Sequence, residues 1–311
     1  SQGSRVAPGA YIMMAAQERT QLRGGMKYDA PMSKHTSWRV GGPAEKFYTP
    51  ADLDDLSCLL SSLPETEPVF WLGLGSNLLV RDGGIRGTVI AQKGSLAELE
   101  LIDEQRIRAG VGVSCAKLAR FCSKHDLLGG EFFAGIPGLL GGALAMNAGA
   151  FGGETWRYVE SVTTIDRQGR VYEREPDDYR VGYRSVRGPQ GEWFVAAVLK
   201  FEKGDGEQAA VSIRALLDKR AQTQPTGLPS CGSVFTNPQG DFAARLIEDC
   251  GLKGLRIGDA EVSPKHANFI INVGHARASE IEALISLVQD RVKTQHGIDL
   301  RTEVRIVGEP E

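Results

Sequence analysis

The chain has 311 residues, of which 41% are hydrophobic and 24% are charged, so it is long enough for two or three globular domains with cores of their own. Its formal net charge is only −3 and its Lys and Arg residues are scattered, which argues against nucleic-acid or membrane-surface binding and favours a small-molecule ligand. No apolar run approaches the roughly 18 residues of a membrane span.

The cysteines are five in number and form no C-x-x-C pair, which argues against a disulfide framework and against structural zinc. We therefore predict a reducing cytoplasm and no metal site. The first residues lack the basic and apolar regions of a secretory signal, and Met13 and Met14 indicate that the residues before them are an expression leader. Residues 1–24 are assigned to a leader and tail, expected to be partly disordered.

The first predicted unit spans residues 25–95, and its first element is a helix. Thr49 is the predicted N-cap, Pro50 the first helical residue and Asp52 a first-turn acid. An apolar stripe follows at helical spacing: Leu53, Leu56, Leu59 and Leu60. Apolar strands are predicted next, at Val69–Leu72 and Thr88–Ala91.

The second predicted unit spans residues 96–203 and is rich in strand patterns. Strands near Leu99 and Ile107 precede a helix that Ser114 caps. Cys115 and Cys122 lie on the apolar face of this helix, and we favour core packing over a redox pair because a thiol there behaves as a small hydrophobe. Three more strands are predicted, at Val159–Ile165, Arg170–Glu173 and Phe194–Phe201.

The third predicted unit spans residues 204–311 and follows the polar segment Lys203–Glu207, which we interpret as a domain boundary. Its last helix has a predicted capping box of Ser279 and Glu282, and Gly297 ends it. The buried stripe of that helix consists of Ile281, Leu284, Ile285, Val288 and Val292. A final strand is predicted at Thr302–Val307.

Two glycine-rich segments stand out from these units. The first, Gly73–Gly87, begins with G-x-G but has no third glycine opening a helix, which argues against a Rossmann dinucleotide site. Gly73 and Gly75 let a ligand approach the backbone, while Ser76 and Asn77 add side-chain donors for phosphate oxygens. A purely structural turn explains this loop equally well when it is taken alone.

The second segment, Gly135–Gly153, places glycines in a predicted helix, where each costs about 1 kcal/mol relative to Ala. Pro137 suits the first helical turn, and Gly135 and Gly138 would leave the helix N-terminus open to an anion. The glycines inside the helix permit close packing against a cofactor or against another backbone. Together the two segments predict two walls of a nucleotide cleft, with tight backbone packing as the alternative.

Three stretches resemble a known family: HTSWRVGGPAEKF from His35 to Phe47, GLGSNLLVRDGG in the first glycine segment and GIPGLLGGALAMNAGAFGGE in the second. They are similar to the FAD-binding region of the UDP-N-acetylenolpyruvoylglucosamine reductases, which have the vanillyl-alcohol-oxidase-type flavoprotein fold. The resemblance extends from about Met26 to Gly308. It implies an α+β fold in which a two-subdomain FAD-binding unit is followed by a smaller α/β substrate-binding domain.

The resemblance implies FAD as the cofactor, NADPH as the hydride donor and a UDP-sugar enolpyruvyl ether as the substrate. The product would be UDP-N-acetylmuramate, a precursor of peptidoglycan. Covalent flavoproteins of this fold often carry histidine in the first glycine loop, where this chain has Ser76, so we predict non-covalent FAD. The implied cofactor-binding residues are Gly73, Gly75, Ser76, Asn77, Gly135, Pro137, Gly138, Gly142, Asn147 and Gly149.

The implied reaction needs a cation beside the substrate carboxylate and an acid for the carbon that gains electron density. G-Y-R-S-V resembles the family's Tyr-Arg segment and implies that Arg184 stabilises the carboxylate. C-G-S-V-F-T-N-P implies Ser233 as the proton donor, and T-E-V-R-I-V implies that Glu303 holds or protonates the intermediate. Without the family, each is better interpreted as an ordinary surface or turn residue.

One position departs from the family pattern Tyr-Arg-x-Ser, because Ser185 directly follows Arg184 and Val186 occupies the serine position. The helper serine is therefore unassigned, and Tyr179-Arg180 competes for the role of the catalytic pair. The short span after Arg184 resembles the branch of the family that lacks an extra substrate-capping loop. The implied substrate-binding residues are Tyr183, Gln224, Asn237, Lys265, His266 and Asn268, with solvated loop positions as the alternative.

Other functions remain open from the sequence. The first alternative is another FAD-dependent oxidase or dehydrogenase of the same fold, acting on an alcohol or a sugar acid. The second is a non-catalytic nucleotide-binding protein. We also favour a monomer, and because Arg184 precedes the predicted boundary whereas Ser233 and Glu303 follow it, we expect the third unit to close over the substrate.

Overall fold

The structure, a computed structural model, describes residues 21–311, so the predicted leader methionines Met13 and Met14 lie outside the described residues. In chain order the strands are β1 Gly25–Pro31, β2 Pro43–Thr49, β3 Val69–Leu72, β4 Leu78–Val80, β5 Ile85–Ala91, β6 Leu99–Leu101, β7 Arg106–Gly110, β8 Leu127–Leu128, β9 Gly149–Ala150, β10 Gly153–Glu154, β11 Val159–Asp166, β12 Val171–Arg174, β13 Arg180–Gly182, β14 Ser185–Arg187, β15 Glu192–Lys200, β16 Glu202–Lys203, β17 Arg256–Ile257, β18 Ala260–Val262, β19 Ile270–Asn272 and β20 Arg305–Val307. The helices are α1 Leu53–Ser62, α2 Cys115–Lys124, α3 Leu140–Met146, α4 Gly206–Thr223, α5 Ala243–Asp249 and α6 Ala278–His296.

The first sheet has the strand order β1-β2-β5-β3, with β1 antiparallel to β2 and the other neighbours parallel. Helix α1 packs on it through a leucine stripe that is almost completely buried. The start of α1 differs from the prediction. Thr49 still pairs with Gly25 in the sheet, and the Asp52 carboxylate accepts the Asp55 N–H at 2.9 Å, so Asp52 is the N-cap.

The second sheet is antiparallel throughout, in the order β12-β11-β15-β7-β6. Helices α2 and α3 pack with it around one apolar core. Ser114 caps α2 as predicted, because its Oγ accepts the Lys117 N–H at 3.2 Å. Cys115 and Cys122 are buried in this core, and burial raises the pKa of both thiols to about 12. Their predicted core role is confirmed.

Helix α4 begins at Gly206, inside the segment Lys203–Glu207 that the sequence predicted as a domain boundary. It nevertheless packs against the second sheet's core, to which its residue Ile213 belongs, and it lies beside α2. The Gly206 N–H also donates to the Asp126 carboxylate at 3.2 Å. Because α4 is covered by the preceding unit, the change from one core to the next comes after α4 and not before it.

The last part of the chain combines α5, α6 and the small antiparallel sheet β17-β18-β19. The predicted stripe of α6 is buried in its core, and Gly297 ends the helix in a left-handed conformation with φ 70°. The N-terminal cap lies two residues earlier than predicted. The Glu280 carboxylate accepts the Arg277 N–H at 3.0 Å, whereas Glu282 pairs with Arg81 at 2.8 Å.

Strand β20 leaves this last part and pairs in parallel with β4, which lies in the first glycine segment. Beside it, the Asp82 carboxylate accepts the N–H groups of Ala278 and Ser279 at 3.0 and 2.9 Å. An aspartate at this position stabilises the positive end of α6. The first glycine segment therefore holds both the last strand and the longest helix of the described chain.

Candidate active site

A cleft of about 710 Å³ lies where the two sheets and the segment before β20 meet. Residues of both glycine-rich segments line it, so the two segments meet at one cleft, as the sequence predicted. The turn of the β13–β14 hairpin and the residues Thr302 and Glu303 complete its wall. Its volume is typical of small-molecule sites.

The first glycine loop presents all four of its predicted residues to the cleft: Gly73, Gly75, Ser76 and Asn77. Gly75 has φ 72°, and a Cβ there would overlap the His35 carbonyl oxygen. The Gly75 carbonyl accepts the Ser37 N–H at 2.9 Å, so the loop rests on the upstream His35–Phe47 stretch. Glycine is required here for packing as well as for backbone conformation.

Asn77 lines the cleft, and its polar atoms also form hydrogen bonds with other parts of the protein. Its Nδ2 donates to the Glu303 carbonyl at 3.0 Å, and its own carbonyl accepts the Arg305 N–H at 3.1 Å. The prediction that Asn77 supplies a side-chain donor to phosphate needs correction, because that amide already donates to the segment before β20 that carries Glu303.

The second glycine segment does not present an open helix N-terminus. Helix α3 begins at Leu140, so Pro137 precedes the helix and does not occupy its first turn. The Leu140 N–H donates to Val113 at 2.8 Å and the Gly141 N–H donates to Val111 at 3.0 Å. These two N–H groups are therefore already hydrogen-bonded within the protein. The prediction that the helix N-terminus is open to an anion is wrong for both of them.

Six of the ten predicted cofactor residues line the cleft, namely Gly73, Gly75, Ser76, Asn77, Gly138 and Gly142. The remaining four, Gly135, Pro137, Asn147 and Gly149, are outside the lining set among the described residues. A Cβ on Gly135 would collide with the Phe151 ring, so this glycine serves internal packing. Asn147 is 1% exposed and its amide is engaged with the protein.

The glycines that face the cleft leave the main chain accessible to a ligand. At Gly142, apart from the adjoining backbone of its own helix, none of the described atoms lies within 4 Å of the position that a Cβ would occupy. At Gly73, apart from its chain neighbours, the only described atom within that distance is Gln92 Oε1, at 4.0 Å. A planar or phosphorylated group can therefore pack directly on the backbone at both walls, which is the environment that FAD requires.

Arg184 occupies the turn of the β13–β14 hairpin with φ 50°, an uncommon conformation for a residue with a side chain. Its Nε donates to Glu303 Oε1 at 3.2 Å. Its Nη1 and Nη2 donate to the carbonyls of Asn147 and Gly149, at 3.3 and 2.9 Å. The structure thus brings two of the three predicted catalytic residues into contact without any closure of one unit over another.

Glu303 is a carboxylic acid held in the cleft wall with its side chain 14% exposed. Burial raises the pKa of its carboxyl, and the adjacent Arg184 guanidinium offsets this in part by lowering the pKa. The raised pKa increases the fraction of the carboxyl that keeps its proton near neutral pH. A carboxyl of this kind can act as an acid or as a hydrogen-bond donor.

Ser233, the third predicted catalytic residue, lies in the segment alongside Glu303. It is half-buried and follows Gly232, which has φ 68°. The next residue, Val234, accepts the Glu303 N–H at 2.7 Å through its carbonyl. Within residues 21–311, however, Ser233 is not among those that line the cleft, whereas Arg184 and Glu303 are.

The hairpin distinguishes the two candidate arginines. Arg180 is exposed at the base of the hairpin, opposite Arg187, whereas Arg184 contacts Glu303. Ser185 and Val186 both line the cleft, so the shifted serine still reaches the site. The position of Arg184 agrees with its predicted role, whereas Arg180 is not among the described residues that line the cleft.

Two of the predicted substrate-binding residues, Tyr183 and Asn237, are exposed and lie together beside the cleft. The Asn237 N–H donates to the Tyr183 hydroxyl at 3.5 Å, and the Tyr183 ring lies beside the Arg184 guanidinium. The Asn237 side-chain oxygen also binds the first turn of α5, where Oδ1 accepts the Ala243 N–H at 3.1 Å. Its Nδ2 remains the group that a ligand can approach.

None of the six predicted substrate residues is among the described residues that line the cleft. Tyr183 and Asn237 adjoin it, whereas the other four have partners elsewhere in the protein. Asn268 is 4% exposed, and its amide pairs with both backbone groups of Phe235, at 3.0 and 2.9 Å. It therefore secures the segment that follows Ser233. Gln224 binds Arg220, Lys265 donates to the Ala221 carbonyl, and burial lowers the pKa of His266. These contacts favour scaffold roles.

Several cleft residues were not identified from the sequence as site residues. Arg187 and Arg305 add positive charge, while Glu192 is neutralised by Arg174. Trp71 and Trp193 stack at one end, with 5.1 Å between ring centroids. Arg305 belongs to the T-E-V-R-I-V motif, which was a usable signal, whereas the tryptophans are indistinguishable from core strand residues in sequence.

Within residues 21–311, none of the helices combines the length and apolar character needed to cross a membrane. The same residues contain no group of three or more His, Cys, Asp or Glu side chains arranged to hold a metal ion.

Comparison with known families matches two parts of the chain. Residues 44–174 match a family described as an FAD binding domain. Residues 224–307 match a family described as the C-terminal domain of UDP-N-acetylenolpyruvoylglucosamine reductase. The second match begins at Gln224, directly after α4.

Relatives of known name are similar over nearly the whole chain. A UDP-N-acetylenolpyruvoylglucosamine reductase of Alkalilimnicola ehrlichii is 59% identical over 96% of this chain and 100% of its own length. One of Methylococcus capsulatus is 58% identical over 96% of this chain and 98% of its own. The crystal structure of the Thermus caldophilus enzyme superposes with a TM-score of 0.78 at 31% identity, covering 92% of this chain and 99% of that one.

Proposed function

The chain belongs to the UDP-N-acetylenolpyruvoylglucosamine reductase family and is an FAD-dependent oxidoreductase, and from this premise we propose that it reduces UDP-N-acetylglucosamine enolpyruvate to UDP-N-acetylmuramate with electrons from NADPH. The observation that carries the proposal is the contact of Arg184 Nε with Glu303 Oε1, 3.2 Å apart in the cleft wall. A fixed cation beside a carboxyl of raised pKa supplies the two groups that this reduction needs.

The glycine walls would hold the cofactor. Gly73, Gly75 and Ser76 on one side and Gly138 and Gly142 on the other would contact FAD through the main chain and the Ser76 hydroxyl. When bound, FAD would supply the hydride-transfer chemistry that links NADPH to the substrate. Because a serine hydroxyl occupies the position where covalent members of the fold carry histidine, we propose that the flavin is dissociable.

Arg184 would bind the carboxylate of the enolpyruvyl group. Hydride addition to the terminal alkene carbon moves electron density onto the neighbouring carbon and into that carboxylate, which a bidentate guanidinium stabilises. The two main-chain carbonyls that accept from Arg184 fix its plane before the substrate arrives. Such preorganised charge acts most strongly in a site from which water is excluded.

Ser233 and Glu303 would manage the proton that the second carbon receives. Ser233 is the proposed donor, and a serine hydroxyl is a weak acid that needs its proton replaced. The Glu303 carboxyl has a raised pKa, and its backbone is bonded to the residue after Ser233, so we propose it as the group that keeps a proton for this purpose.

The exposed side of the cleft would receive the UDP portion of the substrate. Tyr183 and Asn237 adjoin each other there, and Arg187 and Arg305 provide charge for a diphosphate. Direct roles for Gln224, Lys265, His266 and Asn268 remain predictions, and the contacts of Asn268 with Phe235 favour an indirect one.

The test separates the two halves of the reaction under anaerobic conditions. We expect NADPH to bleach the flavin bands and the enolpyruvyl substrate to restore them. In R184K we expect bleaching to persist and recovery to slow by about 100-fold, because one preorganised donor contributes about 10²–10³ in rate. R180K, which alters the exposed hairpin arginine, is the matched control and keeps both rates.

The same experiment decides between the candidate functions. A wild-type flavin that stays bleached in the presence of the enolpyruvyl substrate would overturn the reductase assignment. Bleaching by an alcohol or a sugar acid in place of NADPH would support another oxidase or dehydrogenase of this fold. A preparation without flavin bands would support a non-catalytic nucleotide-binding protein.

We also infer a cytoplasmic monomer as the working form. The five cysteines are free, and two of them adjoin solvent, which supports a reducing compartment. Light scattering of the flavin-loaded protein tests the oligomeric state, and a mass twice that of one chain would contradict it.

A further inference from the structure

We propose that Asn147 is a positioning residue that orients the Arg184 guanidinium, and that it is not a cofactor ligand. The inference rests on the proposed function, in which Arg184 is the cation that receives the substrate carboxylate. Asn147 is not among the described residues that line the cleft, so any effect on the reaction acts through its neighbours.

The orientation of Arg184 depends on the segment that follows helix α3. Of the three acceptors around its guanidinium, two are main-chain carbonyls of this segment, those of Asn147 and Gly149. Main-chain carbonyls can orient a side chain only as well as their own segment is fixed. The path of residues 147–149 therefore sets the plane of the guanidinium.

Asn147 fixes that path from its own backbone. It is the C-cap of α3 in the left-handed conformation, with φ 48° and ψ 54°. Asparagine tolerates this conformation better than most residues with a side chain. The next residue, Ala148, donates its N–H back to the Ala143 carbonyl at 2.9 Å, which closes the helix end.

The Asn147 side chain then ties this helix end to two other segments. Its Oδ1 accepts the Trp156 N–H at 3.1 Å, and its Nδ2 donates to Glu154 Oε2 at 3.2 Å. Nδ2 also donates to the Gly182 carbonyl at 3.1 Å, and Gly182 lies two residues before Arg184 in the hairpin. One buried amide thus fixes both the guanidinium's acceptors and the hairpin that carries the guanidinium.

The donor character of Nδ2 is what an aspartate cannot reproduce. In N147D, a carboxylate oxygen would replace Nδ2 and face two acceptors, the Gly182 carbonyl and the Glu154 carboxylate. The size and shape of the side chain stay the same while both contacts become repulsive. We expect the hairpin to shift relative to residues 147–149 and the guanidinium to lose its orientation.

The experiment measures the two half-reactions, FAD affinity and thermal unfolding of N147D in the full-length, flavin-loaded protein. We expect flavin reoxidation by the enolpyruvyl substrate to slow by about 30- to 100-fold, as misplacement of a catalytic group by roughly 1 Å does. Flavin reduction by NADPH and the Kd for FAD should each stay within about 3-fold, because Asn147 contacts neither partner in this proposal.

N272D is the matched control for the general effect of placing an aspartate at a buried asparagine. Asn272 is 5% exposed, donates to Trp38 and accepts from Gly274 and Ala276, away from the cleft. We expect N272D to lower the unfolding midpoint as N147D does while keeping both half-reactions. Equal slowing of both half-reactions in N147D, or an unchanged reoxidation rate, would overturn the proposal.

A milder variant decides the matter should N147D not fold. E154A removes one acceptor of the Asn147 amide at a half-buried site and is expected to slow reoxidation by about 5-fold without affecting reduction. An unchanged reoxidation rate in E154A would count against the positioning role. Failure of the wild-type flavin to be reoxidised would instead reject the proposed function, so the two outcomes are distinguishable.

Discussion

The two glycine-rich segments are similar in composition, yet they meet different physical requirements. In the first, Gly75 needs both a positive φ and the absence of a Cβ, because the loop packs on the His35 carbonyl. In the second, Gly142 is free of such contacts and faces the cleft, while Asn147 and Gly149 turn away from it to hold Arg184. Glycine content alone therefore does not reveal which residues touch a ligand.

The largest expected effect is on the fold of the first segment. G75A would combine backbone strain at φ 72° with overlap against the His35 carbonyl, and we expect the free energy of unfolding to fall by about 3 kcal/mol or more. Urea denaturation of the apoprotein measures it. G94A separates the two causes, since Gly94 has φ 83° but none of the described atoms lies within 4 Å of its Cβ position, so about 1 kcal/mol is expected there.

The second segment should respond in the opposite way. G142A places its methyl group in the cleft without meeting the protein, so the apoprotein should be equally stable or up to about 1 kcal/mol more stable, because Ala favours helices. FAD should bind about 10-fold more weakly, as flavin fluorescence titration can show, which corresponds to about 1.4 kcal/mol. Unchanged FAD affinity would contradict contact of this glycine with the cofactor.

A smaller effect tests whether the first segment also supports the last part of the chain. D82A removes the carboxylate that accepts the Ala278 and Ser279 N–H groups, and we expect a loss of about 1 kcal/mol in the free energy of unfolding. D290A changes the same charge on the exposed face of α6 and should alter stability by less than about 0.5 kcal/mol. Equal losses in both variants would rule out a specific cap.

The smallest effect concerns Glu303. Asn77 of the first segment donates to its carbonyl, and Arg184, which donates to carbonyls of the second segment, also donates to its carboxyl. Because burial raises the pKa of this carboxyl above its ordinary 4.5, its protonated form stabilises the folded state fully below about pH 4.5, and this stabilisation is lost as pH rises through the raised pKa. The difference in unfolding free energy between wild type and E303Q should therefore decrease as pH rises. A difference that increases over that range would contradict the direction of the shift.

The sequence predicted those elements whose signals are local. The stripe of α6, the Ser114 cap and the strand Val69–Leu72 follow from spacing and capping chemistry within a few residues. The predicted start of α1 was too early, because Thr49 pairs with Gly25, which is distant in sequence, and this pairing keeps the chain extended. Helix α3 lost its expected open end because a strand accepts its first N–H groups. Such tertiary partners leave no local pattern.

The candidate site could be predicted as a set of motifs but not as a set of contacts. Arg184 and Glu303 were identified from the family resemblance, and the structure brings them together. Asn77, Asn147 and Asn268 were identified as ligand-binding residues, yet their amides bind the protein's own carbonyl, amide or carboxylate groups. An asparagine has the same donors and acceptors for a ligand as for a backbone, so only its three-dimensional neighbours decide between the two.

The pairing of β20 with β4 has a consequence for how the protein is made. The Asn77 amide and the Glu303 carbonyl that it holds are 226 residues apart in the chain, so this contact closes a very long loop. Closing a loop of this length costs more chain entropy than forming local contacts, which makes such pairing intrinsically slow. During synthesis, both glycine segments leave the ribosome long before Glu303 does. Under the proposed role of Glu303, catalytic competence would be reached only when β20 docks beside β4, after both glycine segments have been synthesised.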